Sequence, residues 1–167
     1  MLVILEGPDG SGKTTLANTL CEEYNFNNIT PVPREWPEQF GTAADLFRNL
    51  ANDEKLYVMD RCFITEWIYR VVMYDKTPTI NLEQIVKLLT YWSSNVYYVF
   101  CFNKNAYSNA INRGETYVAT QSLHNEICKA YEFVYNTLNR FTDINLLEYD
   151  YTINSVKDLL DKLEVSK

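Results

Sequence analysis

The chain has 167 residues, with 22 acidic against 15 basic side chains and a formal net charge of −7. That length makes one domain with a substantial core the expectation, and the acidic balance argues against a broad phosphate-tracking surface for nucleic acid. No stretch is apolar enough to span a membrane. The first apolar run, ending at Glu6, reads as a strand and not as a secretory leader, so a cytoplasmic location is expected. Cys21, Cys62, Cys101 and Cys128 form no C-x-x-C pair, and only His124 could join them as a metal ligand. A reduced chain without structural zinc is the simplest account.

Strand-like runs fall at 2–6, 28–32, 56–60, 95–102 and 144–149, separated by segments of helical periodicity. This alternation predicts an α/β fold with a mainly parallel sheet. Between the runs, Leu16, Leu20 and Tyr24 repeat at helical spacing. Phe63, Trp67, Val71 and Tyr74 mark the face of a helix after Asp60, and Leu82, Ile85, Val86 and Leu89 the next. Leu123, Ile127, Tyr131, Val134 and Leu138 predict a long helix. Val156, Leu159, Leu160 and Leu163 predict a last one, capped by Asn154. No repeat or Pro/Gly/Ser linker interrupts the chain, so 1–167 is read as a single domain.

The chemistry begins directly after the first strand. Gly7-Pro8-Asp9-Gly10-Ser11-Gly12-Lys13-Thr14 fits the P-loop pattern G-x-x-x-x-G-K-[ST] at every fixed position, with a strand before it and a helical pattern after it. Three of the five glycines lie here, where the backbone must close around an anion. The loop amides and the helix N-terminus, from Gly7 through Ser11 to Thr15, would cradle the phosphates of ATP. Lys13 would reach the β- and γ-phosphates and Thr14 would ligate Mg²⁺. Asp60-Arg61 ends the run Leu56-Tyr57-Val58-Met59, where an open parallel sheet delivers residues to its crevice. There Asp60 would face the Mg²⁺ shell or an acceptor hydroxyl, and Arg61 an acceptor phosphate. Asn103-Lys104-Asn105-Ala106 has the start of a guanine-reading N-K-x-D, but Ala106 replaces its aspartate, so a guanine switch is set aside.

These motifs together resemble the thymidylate kinase-like branch of P-loop nucleoside and nucleotide kinases, especially the short forms of bacteriophage genomes. Glu6 to Thr15 is similar to that family's E-G-x-D-G-x-G-K-[ST]-T, Arg34-Glu35-Trp36-Pro37 to its R-E-P-G with one residue inserted, and Asp60 to Tyr69 to its D-R-Y-x-x-S-S-x-A-Y. Arg113-Gly114-Glu115 stands where the family has a lid. The resemblance implies a three-layer P-loop NTPase fold with a five-stranded, mainly parallel sheet in the order 2-3-1-4-5 and a lid around 104–120. It implies catalytic roles for Lys13, Asp60, Arg61 and Arg113, acceptor contacts from Asp9, Arg34, Arg61 and Tyr69, and Mg²⁺ on Thr14 and Asp60. Homodimers are common in the family.

The chain departs from the family in a shorter segment between Arg34 and Asp60, where Phe47 and Arg48 are either stand-ins for base contacts or one face of an amphipathic helix. Arg70 also stands where the family often has Gln. The expected activity is γ-phosphoryl transfer from ATP to a deoxynucleoside monophosphate. Alternatives are phosphorylation of 5-hydroxymethyluracil in DNA, a polynucleotide end kinase, and a nucleotide-binding regulatory module without transfer. His124 is read as a surface or satisfied histidine, Tyr97, Tyr98, Tyr131 and Tyr135 as packing, and Tyr107 and Tyr117 as lid aromatics. Trp36 is a candidate for stacking beside the acceptor.

Overall fold

The protein is described here by a computed structural model covering residues 1–29, 40–74, 81–91, 95–114 and 120–165. In chain order the elements are β1 (Leu2–Glu6), α1 (Lys13–Tyr24), β2 (Asn27–Ile29), α2 (Phe40–Asn52), β3 (Tyr57–Asp60), α3 (Phe63–Tyr74), α4 (Leu82–Tyr91), β4 (Val96–Cys101), α5 (Ala106–Asn112), α6 (Gln121–Phe141), β5 (Asn145–Tyr149) and α7 (Val156–Lys162). The strands make one sheet in the order β2-β3-β1-β4-β5, and each pairing is parallel. This is the expected order, and a strand is found at each of the five expected runs. Of the second run, 30–32 lie outside the described residues.

Alternation along β1 builds the three layers. Leu2 and Ile4 face a core formed with α2, α3, α4 and α6, through Phe47, Ile64, Ile68, Ile85, Ile127 and Tyr131. Val3 and Leu5 face the opposite core, formed with α1 and α7 through Leu16, Leu20, Leu159 and Leu163. The strand is buried along its whole length. At about 1.5–3 kcal/mol per fully buried aliphatic side chain, four in succession make it the anchor of both faces. Its parallel neighbours are therefore fixed in register, and Leu5 lies opposite Asp60. The loop after β1 and the residues after β3 consequently open into the same crevice.

Two sequence expectations change, and one left open is decided. The buried stripe of α3 is Phe63, Ile64 and Ile68; Val71 is 39% exposed, because the helix is rotated toward its i+1 positions against the sheet. The cap of α7 is Ser155, one residue later than Asn154, since its hydroxyl accepts from the Asp158 amide while the Asp158 carboxylate accepts from Ser155 in return. Phe47 is fully buried edge-on against Phe63, with ring centroids 5.6 Å apart, and Arg48 pairs with Asp45 on the exposed side. These two residues are thus helix faces, as the second of their sequence readings held, and Phe47 is core. No described helix is long and apolar enough to cross a membrane.

Candidate functional site

The loop after β1 closes tightly because its glycines let it. Gly10 has φ +76°, and a Cβ there would lie 1.9 Å from the Ala106 carbonyl at the start of α5. Gly12 caps α1 at φ +92°, with the Tyr151 ring 2.8 Å from where its Cβ would be. Both conformations are ones that L side chains rarely adopt. Lys13 opens α1 and is buried; its ammonium donates to the Pro8 carbonyl at 2.7 Å and to Ser11 Oγ at 3.3 Å. Burial, helped by the charge of Arg61, pushes the Lys13 ammonium down to about 8.

Thr14, one residue on, donates from Oγ1 to Asp60 Oδ2 at 2.6 Å, joining α1 to the end of β3. The other oxygen, Asp60 Oδ1, is buried with no hydrogen-bond partner. A hydroxyl and a carboxylate with an unsatisfied oxygen are hard donors suited to Mg²⁺. Among the described residues no group of three or more His, Cys, Asp or Glu could hold a metal. A cation at Thr14 and Asp60 would therefore complete its shell with phosphate oxygens and water, as Mg²⁺ characteristically does.

Asp9, on the same loop, meets the residue after β3 and the middle of α3. Its carboxylate, 7% exposed, forms an ion pair with the Arg61 guanidinium and accepts from the Tyr69 hydroxyl at 2.8 Å. The guanidinium also lies 5.7 Å from the centre of the Tyr69 ring. Burial pushes the Asp9 carboxyl up, but Arg61 and Tyr69 outweigh it and the net displacement is downward. The structure thus brings Asp9, Arg61 and Tyr69 together, as it does Lys13, Thr14 and Asp60. Arg34, with Glu35, Trp36 and Pro37, lies outside the described residues, as does Tyr117.

A second opening lies on the far side of α1. A cleft of about 360 Å³ is bounded by Gly12, Thr15, Thr19, Asn109, Arg113 and Tyr151. Asn109 Nδ2 donates to the Tyr151 hydroxyl at 2.7 Å and to the Gly10 carbonyl at 3.2 Å, tying α5 and the β5–α7 turn to the loop. Arg113, the C-cap of α5, stands at its rim. Gly114 follows at φ +70° with its amide bonded to Ile111, so its role here is to end α5. Asn103 is a turn former: its side chain accepts from the Asn105 amide and donates to Asp150.

Sequence reasoning missed Tyr151, Asn109 and the burial of Glu6, and gave no partner for His124; the last two lie behind the loop. His124 is 3% exposed; Nε2 lies 3.2 Å from the Asp9 carbonyl and Nδ1 3.4 Å from Cys128 Sγ, while Tyr107 meets the ring edge-on at 5.5 Å. It is the satisfied histidine of the sequence reading, packed against the loop itself. Glu6 is fully buried, accepting from the Cys62 amide at 3.0 Å and the Thr65 hydroxyl at 2.5 Å. Burial pushes its carboxyl up to about 7 in spite of Thr65, Lys13 and Arg61. The available signal was a charged residue ending an otherwise apolar central strand.

No protein-family profile matches the chain. A 56-residue stretch is 38% identical to a cytidylate kinase of Halobacterium salinarum; the match spans 34% of this chain and 23% of that protein, so under a quarter of the relative's length is represented. Among solved structures, the YorR protein of Bacillus subtilis in complex with phosphorylated GDP superposes with a TM-score of 0.73 at 20% identity, covering 98% of this chain and 96% of that one. Deoxyadenosine kinase from M. mycoides with bound dATP gives 0.64 at 15% identity, covering 99% and 100%. Thymidylate kinase from Candida albicans gives 0.61 at 16%, covering 98% and 90%. At these identities the likeness shows the fold: a five-stranded parallel sheet flanked by helices, as in P-loop kinases.

Proposed function

We propose that the chain is an ATP-dependent P-loop phosphotransferase whose acceptor is a deoxynucleoside monophosphate. The observation that carries this reading is the two-sided loop: Lys13, Thr14 and Asp60 form one cluster, and Asp9, Arg61 and Tyr69 another, a few residues apart on the same turn. A hydrolytic switch needs only the first. A kinase needs the second as well, to hold what receives the phosphoryl group. The neighbours named as deoxyadenosine and thymidylate kinases both support a phosphotransferase; only the second is named for a monophosphate acceptor, the first for a nucleoside.

In the proposed reaction the loop amides and Lys13 bind the β- and γ-phosphates, and the ammonium exchanges its bonds to Pro8 and Ser11 for phosphate oxygens. Anionic oxygens beside Lys13 restore the proton that burial disfavours. Thr14 and Asp60 would hold Mg²⁺, which would supply positive charge to offset that of the transferring group. Arg61 turns its guanidinium to the acceptor phosphate while Asp9 and Tyr69 orient the sugar. Catalysis in this class is mainly positioning and charge neutralisation, so no strong base is required. The cleft beneath Tyr151 takes the donor base, and Arg113, in the lid expected around 104–120, of which 115–119 lie outside the described residues, reaches the transferring phosphoryl.

The test is to incubate protein, γ-labelled ATP and Mg²⁺ with each deoxynucleoside monophosphate, each nucleoside, and plain or hydroxymethyluracil-containing DNA. Label moves to a monophosphate on this reading. Label moving only to DNA or nucleosides overturns the acceptor, and label moving only to water overturns the kinase.

A further inference from the structure

The Arg61 backbone has φ +81°, a left-handed conformation that residues with a side chain adopt rarely. Two consecutive residues of β1 hold it there. The Arg61 amide donates to the Leu5 carbonyl at 2.9 Å, which extends the β1–β3 ladder one step past Asp60. The chain then turns, and the Cys62 amide, which could no longer reach a strand carbonyl, donates at 3.0 Å to the Glu6 carboxylate. The second Glu6 oxygen accepts from Thr65 in the first turn of α3, and Thr65 Oγ1 is 2.7 Å from the Tyr131 hydroxyl on α6. A single carboxylate therefore spans β1, the Arg61 turn and α3, and through Thr65 it reaches α6. All of this lies behind the surface that carries the Arg61–Asp9 pair.

A fully buried carboxylate is costly to keep unless its geometry does something an apolar residue could not. Glu6 is fully buried, its hydrogen bonds run to Cys62 and Thr65, and Lys13 and Arg61 act on it through their charge. We infer that Glu6 is a positioning residue: with Thr65 it clamps the Arg61–Cys62 turn, so that the guanidinium is delivered to Asp9 and to the acceptor side of the loop. This rests on the phosphotransferase reading for its functional consequence, but the clamp itself is a property of the fold.

Glu6→Ala removes both acceptors. Glu6→Gln keeps an acceptor for Cys62 and turns the Thr65 hydrogen bond around, so it rescues a clamp. Thr65→Val removes one arm with little change of shape and covers the case in which Glu6→Ala does not fold. With ATP and the accepted nucleotide each varied, the expected result is an acceptor KM raised at least about 10-fold in Glu6→Ala and about 3- to 10-fold in Thr65→Val. Glu6→Gln should stay within about 3-fold of wild type and the ATP KM within about 2-fold throughout. Unchanged acceptor KM in folded Thr65→Val, or both KM values moving together, overturns the clamp. The Arg61 side-chain ¹⁵N–¹H resonance, reporting its pairing with Asp9, should shift in Thr65→Val and remain in place in Glu6→Gln. That readout needs no turnover: a shifted resonance in a protein that transfers no label keeps the clamp and removes the kinase, and an unshifted one removes the clamp.

Discussion

The two sides of the loop are built differently. On the side of Asp9, Arg61 and Tyr69, the functional groups are partly or wholly buried, and Glu6 and Thr65 hold the Arg61 turn from behind. On the side of Tyr151, Asn109 and Arg113 lies a cleft of about 360 Å³, Tyr151 is 44% exposed, and the ties are side chain to backbone or hydroxyl. A site that must place a small acceptor in line with a phosphoryl group benefits from groups whose positions are decided before binding. A site that holds the far end of a triphosphate tolerates adjustment, because the loop amides already fix the phosphates. The difference teaches that substitutions on the first side should act sharply and on one substrate, and those on the second more softly on the other.

Lys13, shared by both sides, should give the largest effect. Lys13→Ala is expected to lower transfer by more than about 10³-fold in a label-transfer assay while the melting temperature stays within a few degrees. Gly10→Ala comes next: its Cβ would collide with the Ala106 carbonyl, so the loop must shift and both KM values rise together, by about 10-fold or more. Tyr151→Ala should then raise the ATP KM about 5- to 10-fold and leave the acceptor KM alone, by loss of the ring bounding the cleft. Two smaller effects concern protons. At pH 8 the buried Lys13 ammonium, pushed down to about 8, is about half charged, and bound phosphates restore it. Calorimetry of ADP binding in buffers of different ionisation enthalpy should therefore show uptake of about half a proton, vanishing in Lys13→Ala. Glu6 acts on stability. Its folded carboxyl sits at about 7 against an ordinary value near 4.5, so the folded chain retains a proton that the unfolded chain releases. Stability from this group is full below about 4.5 and is lost as pH rises through about 7. The charges facing it are Lys13 and Arg61, with Cys62, Tyr98 and Tyr131 also near. Glu6→Gln should flatten this part of the melting-temperature profile between pH 5 and pH 8, by a few degrees.

Legibility followed the same division. The loop and Asp60-Arg61 could be read directly because fixed spacing and a strand end place them whatever the rest of the chain does. Strand positions were legible because a parallel sheet buried on both faces needs continuous apolar runs. The burial of Phe47 was not, since a helix pattern does not say which face meets the sheet, and Val71 fell on the outside for the same reason. Tyr151 and Asn109 belong to no local motif; they meet only because β5 lies beside β4 and carries its following turn to the loop. His124 could be judged satisfied, but its partner, the Asp9 carbonyl, is a tertiary neighbour with no sequence signature. Glu6 looked like the polar end of a strand, and only the fold shows two hydrogen-bond donors from the segment after β3 converging on it.

The division into two sides is tested most directly by steady-state kinetics of Arg61→Ala with ATP and the accepted monophosphate each varied in the presence of Mg²⁺. The charge of Arg61 depresses the Lys13 ammonium, yet Arg61, paired with Asp9, is assigned wholly to the acceptor. The acceptor KM should rise about 100-fold with the ATP KM within about 3-fold of wild type. An ATP KM rising in step, or alone, would contradict the division.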